Sequence, residues 1–120
     1  MPGVAGLSEN IRVIRLVDQF LEHGRVAIFH NGGEEEMYLA SADWMDRNLH
    51  RRIEVGFPVY NPQVKAEIRQ IIDFQLSDNT KARQLDAQHQ HQEVDRPPSE
   101  TTPAVRAQTD TYAWLRKQEW

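Results

Sequence analysis

The sequence contains no cysteine among its 120 residues. This absence excludes disulfide frameworks, thiolate nucleophiles and zinc sites built from cysteine. Long apolar runs are also missing, and the N-terminus lacks a basic start followed by an apolar signal core. We therefore expect a cytoplasmic protein, soluble or at most peripheral to the inner membrane.

The sequence also lacks an excess of basic residues, since the formal net charge is -4. General nucleic-acid binders usually carry such an excess because they must compete for phosphates. No nucleic-acid partner is therefore expected. The hydrophobic content of 39% is ordinary for a globular protein, and the length allows one domain and a tail.

The first local pattern present is helical. Apolar residues at helical spacing follow Ser8, which could serve as the N-cap: Ile11, Ile14, Val17, Phe20 and Leu21. The pattern predicts a helix over about residues 9–22, ended by Gly24. His23 would then lie at the end of this helix.

A hairpin is predicted next, with strands 26–29 and 37–40 joined by the turn Asn31-Gly32-Gly33. A third strand is predicted within residues 52–59. Asn61-Pro62 is typical of a helix start, and five apolar residues form the buried stripe of the following helix: Val64, Ile68, Ile71, Ile72 and Leu76. Trp44 and Met45 are interpreted as core residues.

The chain becomes polar from Gln84 to about Thr102, a composition that cannot bury much core. Val105, Tyr112, Leu115 and Trp120 then permit a closing amphipathic helix. We predict a core over residues 1–86, a polar linker over 87–102 and a C-terminal helix over 103–120. The element order predicts an α/β layered domain with a mixed sheet flanked by helices.

The predicted hairpin would bring together residues suited to phosphate chemistry. If Arg25 begins the first strand, Ser41 and Asp43, after the second strand, return beside His23. Histidine can attack phosphorus or protonate a leaving oxygen, and arginine can neutralise phosphoryl oxygens through paired hydrogen bonds. Taken singly, these residues have ordinary structural explanations: a dipole-facing histidine, an ion-paired arginine and a helix-capping aspartate.

The pattern of His23, Arg25, Asn31, Ser41 and Asp43 resembles a degenerate phospholipase D-type motif. It departs from that motif by having Arg25 for lysine, Asn31 for aspartate and Asp43 for the final asparagine. Longer stretches resemble the C-terminal region of bacterial polyphosphate kinases. They are Leu7–Ile11, Phe20–His23, Phe29–Gly33, Tyr38–Met45, Arg47–Leu49 and Ser77–Arg83.

This resemblance implies a phospholipase D-like fold and the reversible transfer of the terminal phosphate of ATP to polyphosphate, with Mg²⁺. It implies a phosphohistidine on an upstream domain that the chain lacks. His23 matches the family's second histidine, which contacts nucleotide phosphates and acts as general acid and base. Arg25, Asn31, Ser41 and Asp43 are then candidates for binding ATP or ADP. The implied partners are polyphosphate, adenine nucleotide and the upstream domains, with homo-oligomerisation of the full enzyme left open.

Two alternatives stay open at this point: a single-motif phospholipase D-like phosphodiesterase, and a non-catalytic remnant that binds nucleotide or polyphosphate. Arg25 and Asn31 count against the phosphodiesterase. The chain could be a truncated reading frame or an excised domain, and we expect little or no kinase activity from it in isolation, because phosphoryl transfer needs groups on both sides of the phosphorus.

Overall fold

The computed structural model describes residues 1–118. Within this range the chain forms six strands and three α-helices: β1 (Ile14–Leu16), β2 (Val26–Phe29), β3 (Glu36–Ala40), α1 (Asp46–Arg51), β4 (Gly56–Pro58), α2 (Pro62–Ser77), β5 (Ala82–Leu85), β6 (His91–Gln92) and α3 (Ala107–Leu115). They belong to two compact units. Unit 1 combines residues 1–20 with Gln70 onward, and unit 2 comprises Leu21–Arg69.

Unit 2 is built on an antiparallel sheet of order β2-β3-β4. Val26 pairs with Leu39 and Phe29 with Glu36, so the predicted hairpin is confirmed. A single 3₁₀ turn over Asn31–Gly33 joins the strands, with positive φ at Asn31, Gly32 and Gly33. The two glycines adopt this left-handed backbone without steric cost, which keeps the connection short. Met37, on β3, is 1% exposed and anchors the sheet.

Unit 1 contains a second antiparallel sheet of order β1-β5-β6. Asp78 organises the chain before β5, since its carboxylate is 2% exposed and accepts four backbone N–H bonds. Oδ1 accepts from Thr80, Lys81 and Ala82, and Oδ2 accepts from Ala107 at 2.7 Å. One buried side chain therefore fixes the entry to β5 and the start of α3.

Helix α2 confirms the second predicted helix but not its fully buried stripe. No residue of α2 is buried, and Val64 and Leu76 are 39% and 51% exposed. The side-chain oxygen Oδ1 of Asn61 accepts from the backbone N–H groups of Gln63 and Val64, at 2.9 and 3.3 Å. This Asx cap satisfies N–H groups that a helix start leaves unpaired. The third predicted strand is also present, although it is shorter than predicted and covers Gly56–Pro58.

The predicted helix over residues 9–22 is wrong. The chain runs extended through β1, which pairs with β5 in the register Ile14 to Gln84 and Leu16 to Ala82. The backbone N–H and C=O of Phe20 are bonded to the Gln108 side chain, at 3.0 and 2.7 Å, instead of to a helical turn. Pairing with a distant strand thus overrides a local apolar pattern, and His23 lies in a loop.

The structure also differs from the predictions for the sheet, for Trp44 and Met45, and for the polar linker. The single mixed sheet is replaced by two small sheets whose described pairings are all antiparallel. Trp44 is 93% exposed and Met45 46%, so neither is a core residue. The predicted linker 87–102 contains β6 and the buried Val94, while the division into core, linker and closing helix stays a prediction. Trp120, which that helix includes, lies outside the described residues.

Large apolar side chains are unusually exposed in both units. The most exposed are Ile53, Trp44, Leu21, Tyr60 and Leu7, at 80% or more. Fully buried apolar residues are few by comparison, with Met37, Val59, Ala82, Val94 and Ala107 among the described residues. No helix in the described part of the chain is long and apolar enough to cross a membrane.

Candidate functional site

The open end of the β2-β3 hairpin places Arg25 beside Asp43. The backbone N–H of Ala40 donates to the carbonyl of Arg25 at 3.0 Å, which continues the ladder by one pair beyond β2. Asp43 follows three residues after Ala40, where the chain leaves the sheet. The strand pairing therefore brings together two residues that lie 18 positions apart in sequence.

The guanidinium of Arg25 links Asp43 to His23. Its Nε donates to Oδ1 of Asp43 at 2.8 Å, and Nη1 donates to the His23 carbonyl at 3.2 Å. Nη2 lies 3.5 Å from Nδ1 of the His23 ring. The structure thus brings together three of the predicted site residues. The Arg25 side chain, which is 29% exposed, links the other two.

The contact between Arg25 and Asp43 favours the ionised form of both side chains. The hydrogen bond from Arg25 and its positive charge hold the pKa of Asp43 below its usual range, and His23 and Arg47 act in the same direction. The hydrogen bond to Asp43 in turn raises the pKa of Arg25. Asp43 is therefore a carboxylate near neutral pH, and it does not serve as a proton donor.

The Arg25 contact also bears on the state of the His23 ring. Arginine has no lone pair to offer, so Nδ1 can only accept in this contact, and the neutral ring then carries its proton on Nε2. His23 is exposed, in the loop between β1 and β2. A neutral ring in this position presents an Nε2–H donor to a ligand, whereas a doubly protonated ring must give up the Arg25 contact.

Ser41 belongs to a second hydrogen-bonded group, which includes Glu54 and Asn48. The Ser41 hydroxyl donates to Oε2 of Glu54 and accepts from the backbone N–H of Val55 at 3.0 Å. The buried Asn48 donates from Nδ2 to the other oxygen, Oε1, of Glu54 at 2.7 Å. Bonds from Ser41 and Asn48 lower the pKa of Glu54, and the charges of Arg52 and Arg25 act in the same direction.

Sequence reasoning did not single out Glu54 or Asn48. The signal that could have identified Glu54 is the register of β3 and β4, in which Ala40 pairs with Gly56. Continuing that register pairs residue 42 with residue 54 and places Glu54 next to the Ser41 turn. The register depends on where β4 begins, and the predicted strand over residues 52–59 was too long to define it.

Asn31 does not join the cluster. It lies in the turn at the opposite end of the hairpin from Arg25, with four strand pairs between them. Its amide donates to the carbonyl of Glu34 at 3.3 Å and to Oε1 of Glu36 at 3.2 Å. Within unit 2, Asn31 therefore supports the turn, while His23, Arg25, Ser41 and Asp43 occupy the open end.

A pocket of about 420 Å³ lies in unit 2 beside the Arg25–Asp43 pair. Its size falls in the range of ordinary small-molecule sites. The lining combines the charged pair with backbone and apolar groups: Gly24, Arg25, Val26, Ala27, Tyr38, Ala40, Ala42, Asp43, Trp44 and Leu49. A ligand that carries both a negative group and an apolar or aromatic part would suit this lining.

The described residues do not build a metal site at this end of the hairpin. No group of three or more histidine, aspartate or glutamate side chains is placed to hold an ion in the part of the chain that the structure describes. Asp43 is committed to Arg25, and Glu54 to Ser41 and Asn48. Mg²⁺ in phosphoryl-transfer enzymes relies on one or two carboxylates plus substrate phosphates, so these side chains alone do not fit it.

Comparison with known proteins gives a consistent match. Residues 1–108 match the family model described as "Polyphosphate kinase C-terminal domain 2". The polyphosphate kinase of Escherichia coli is 44% identical over 119 residues, which are 99% of this chain and 17% of that protein. The polyphosphate kinase of Halalkalibacterium halodurans is 48% identical, over 82% of this chain and 14% of its own length.

A solved structure agrees with the sequence matches. The crystal structure of polyphosphate kinase from Porphyromonas gingivalis aligns with a TM-score of 0.82 and 48% identity, over 91% of this chain and 16% of that one. The chain thus spans about a sixth of the length of the relatives it matches.

Proposed function

The chain belongs to the polyphosphate kinase family, whose C-terminal domain 2 it matches, and from this premise we propose that it supplies one side of a phosphoryl-transfer site. The reaction would be the reversible transfer of the ATP terminal phosphate to polyphosphate. The other side, with the nucleophilic histidine, would come from the remainder of the kinase. The arrangement of His23, Arg25 and Asp43 is the observation that carries this proposal.

Arg25 would bind phosphate oxygens, with Asp43 fixing its orientation. One edge of the guanidinium is held by the 2.8 Å bond to Asp43, while the two terminal nitrogens make only long contacts of 3.2 and 3.5 Å with His23. Those terminal N–H groups can turn to an incoming phosphate and form charge-assisted bonds. They would stabilise charge that develops on the transferring phosphoryl group.

His23 would act on the bridging oxygen between the transferred phosphate and ADP. In its neutral form, with Nδ1 facing Arg25, it can donate a hydrogen bond from Nε2 to a phosphate oxygen. In its doubly protonated form it can give that proton to ADP as the leaving group, and it recovers the proton in the reverse direction. Asp43 supplies a nearby negative charge that compensates the protonated ring.

The need for a second component is supported by the exposure of the site. His23 is exposed, and the neighbouring Leu21 and Trp44 are 87% and 93% exposed. Phosphoryl transfer is favoured when water is kept from the reacting groups, and an open loop does not achieve this. Apolar side chains beside the site would be covered when the remainder of the kinase packs against them.

Three finer features belong to the same proposal. The helices and sheets would form the layers of a phospholipase D-like domain. Mg²⁺ would enter with the nucleotide, held mainly by phosphate oxygens, and would neutralise their charge. Ser41 would help to orient the ligand, held in place by Glu54 and by the backbone of Val55.

The test is to join this segment in frame to the remainder of a polyphosphate kinase and to measure ATP-dependent polyphosphate synthesis. His23→Ala should lower the rate by about 10²–10⁴-fold, the usual contribution of a general acid or base. His50→Ala, which removes another exposed histidine of unit 2, is the matched control and should leave the rate unchanged. Equal rates for the His23 variant and wild type would refute the assignment.

The same preparations separate the proposed kinase from its alternatives. The isolated chain should show no ATP-dependent synthesis and no phosphodiesterase activity towards a chromogenic diester. Robust synthesis by the isolated chain would overturn the half-site proposal. Diester cleavage that depends on His23 would favour a phosphodiesterase instead.

A further inference from the structure

Unit 1 carries two arginines directly opposite each other on neighbouring strands. Arg15, at the middle of β1, is the register partner of Arg83 on β5. Residues paired in this way in an antiparallel sheet lie on the same face, with Cβ atoms about 5 Å apart. Arg15 and Arg83 are called the arginine pair below.

The arginine pair lies on the outer face of the sheet. Both side chains are exposed, whereas the flanking register partners Leu16 and Ala82 point to the other face, where Ala82 is 0% exposed. The alternation of exposed and inward-facing residues follows the period of a strand. The two guanidiniums therefore share one solvent-facing surface.

No carboxylate neutralises this pair among residues 1–118. Arg83 donates from Nη1 to the carbonyl of its neighbour Ala82 at 2.7 Å, and Arg15 makes no ion pair within the described chain. Glu93, the acidic residue that follows β6, forms no ion pair with Arg15 or Arg83 within the described residues. Like charges directly opposite each other weaken a sheet, so this placement costs stability.

We propose that the arginine pair of unit 1 binds a linear inorganic polyphosphate chain. The inference rests on the proposed function, which makes polyphosphate the substrate. Guanidinium groups match the geometry of phosphate oxygens, and two opposed guanidiniums can bind successive phosphates of one chain. The bound polyanion then relieves the repulsion between them.

The composition of this sheet favours inorganic polyphosphate over single-stranded nucleic acid. Sites for single strands usually add aromatic side chains on which bases stack. Strands β1, β5 and β6 contain no phenylalanine, tyrosine or tryptophan.

The experiment measures binding of fluorescently labelled medium-chain inorganic polyphosphate to the 120-residue protein at several salt concentrations. Arg15→Gln/Arg83→Gln should bind at least about tenfold more weakly, and the slope of log affinity against log salt should fall by about two, since two phosphate contacts are removed. Arg96→Gln/Lys117→Gln removes the same charge elsewhere in unit 1 and should change neither quantity as much. Arg15→Lys/Arg83→Lys keeps the charge and should bind with intermediate affinity.

Thermal unfolding gives a second readout that a purely structural role would not produce. Without polyphosphate, Arg15→Gln/Arg83→Gln should unfold at the same or a higher temperature than wild type, because the repulsion is gone. Added polyphosphate should raise the unfolding temperature of wild type but not of this variant. A lower unfolding temperature of the variant, with equal affinity per folded molecule, would overturn the proposal.

Several other outcomes decide the matter. Wild-type affinity in the Gln variant, or the same loss in the Arg96 and Lys117 control, would refute the site. Equally tight binding of a single-stranded oligonucleotide through the arginine pair would point to nucleic acid instead. The proposed function is tested separately, since His23→Ala should leave this binding intact while it lowers synthesis in the joined kinase by about 10²–10⁴-fold. If His23→Ala keeps full synthesis, the proposed function fails, and if Arg15→Gln/Arg83→Gln keeps full binding, the arginine-pair site fails.

Discussion

The two units each contain an arginine paired with an aspartate, and the two pairs are built differently. In unit 1, Arg106 uses both Nε and Nη2 on Asp18, at 2.9 and 2.5 Å, and the Asp18 side chain is 4% exposed. In unit 2, Arg25 gives only Nε to Asp43, whose side chain is 36% exposed. The remaining nitrogens of Arg25 face His23.

The difference separates an arginine that holds the fold from one that, under the proposed function, is available to a ligand. Arg106 directly precedes α3, where the backbone N–H of Ala107 donates to Asp78. The bidentate contact of Arg106 with Asp18 therefore connects the segment that follows β1 to the start of that helix. Arg25 keeps donors directed to a solvent-facing ring. The geometry of the guanidinium, more than the presence of an ion pair, distinguishes the two roles.

The largest expected effect comes from removing the available arginine. In the kinase joined from this segment and the remainder of the protein, Arg25→Ala should lower polyphosphate synthesis by about 10²–10³-fold, as expected for a lost donor to developing charge. Arg25→Lys should recover little of the rate, because lysine cannot bond Asp43 and phosphate with one planar group. Arg51→Ala, which removes an exposed arginine paired with the exposed Asp46, is the control. A rate within twofold of wild type for Arg25→Ala would break the comparison.

The next effect concerns stability and is confined to unit 1. Asp78→Asn replaces an acceptor oxygen with an N–H₂ group, so that one buried backbone N–H is left without its partner. An unsatisfied buried donor costs about 1–3 kcal/mol, and we expect a loss of about 3 kcal/mol in the free energy of unfolding. Urea denaturation measures it. Asp95→Asn, at an exposed position, should be close to neutral, and a similar loss in both variants would contradict the role of Asp78.

A smaller effect is expected in the dependence of stability on pH. Arg106 lowers the pKa of Asp18 in the folded chain, so below about pH 4 the unfolded chain binds more protons. The stabilisation is complete above the unfolded pKa and is lost as pH falls through the folded pKa. As the pH is lowered, the free energy of unfolding should therefore fall less steeply for Asp18→Asn than for wild type.

The same measurement on Asp43→Asn sharpens the contrast between the two pairs. The pKa of Asp43 is also lowered, with the same sign, but its side chain is far more exposed than that of Asp18. Solvent screens exposed pairs, so Asp43→Asn should reduce the pH dependence of the unfolding free energy by less than Asp18→Asn does. A larger reduction for Asp43→Asn than for Asp18→Asn would mean that the Arg25–Asp43 pair, and not the Arg106–Asp18 pair, is the one that holds the fold.

Local patterns predicted the parts of the fold that local interactions stabilise. The hairpin depends on a short turn and a neighbouring strand, and α2 begins at the Asn61 cap. The failed helix over residues 9–22 shows the limit. Its apolar spacing is helical, yet β1 forms through partners about 70 residues away, and such non-local pairing leaves no local signature.

The candidate site was predictable to a similar extent. The hairpin and the family resemblance together predicted that His23, Arg25 and Asp43 meet. The resemblance also included Asn31, although the strand length places it at the other end of the hairpin. Glu54 escaped prediction because its role depends on the register of a third strand whose start the sequence pattern did not define.

The turn over Asn31–Gly33 therefore has a consequence at the opposite end of the hairpin. A turn of different length would shift β2 against β3, and a slip of one residue would move Arg25 to the other face of the sheet, away from Asp43. A slip of two residues would keep the face but displace Arg25 by about 7 Å along the strand. Insertions or deletions in this remote loop should thus be tolerated far less well than its surface position suggests, because the loop length sets the alignment of Arg25 with Asp43.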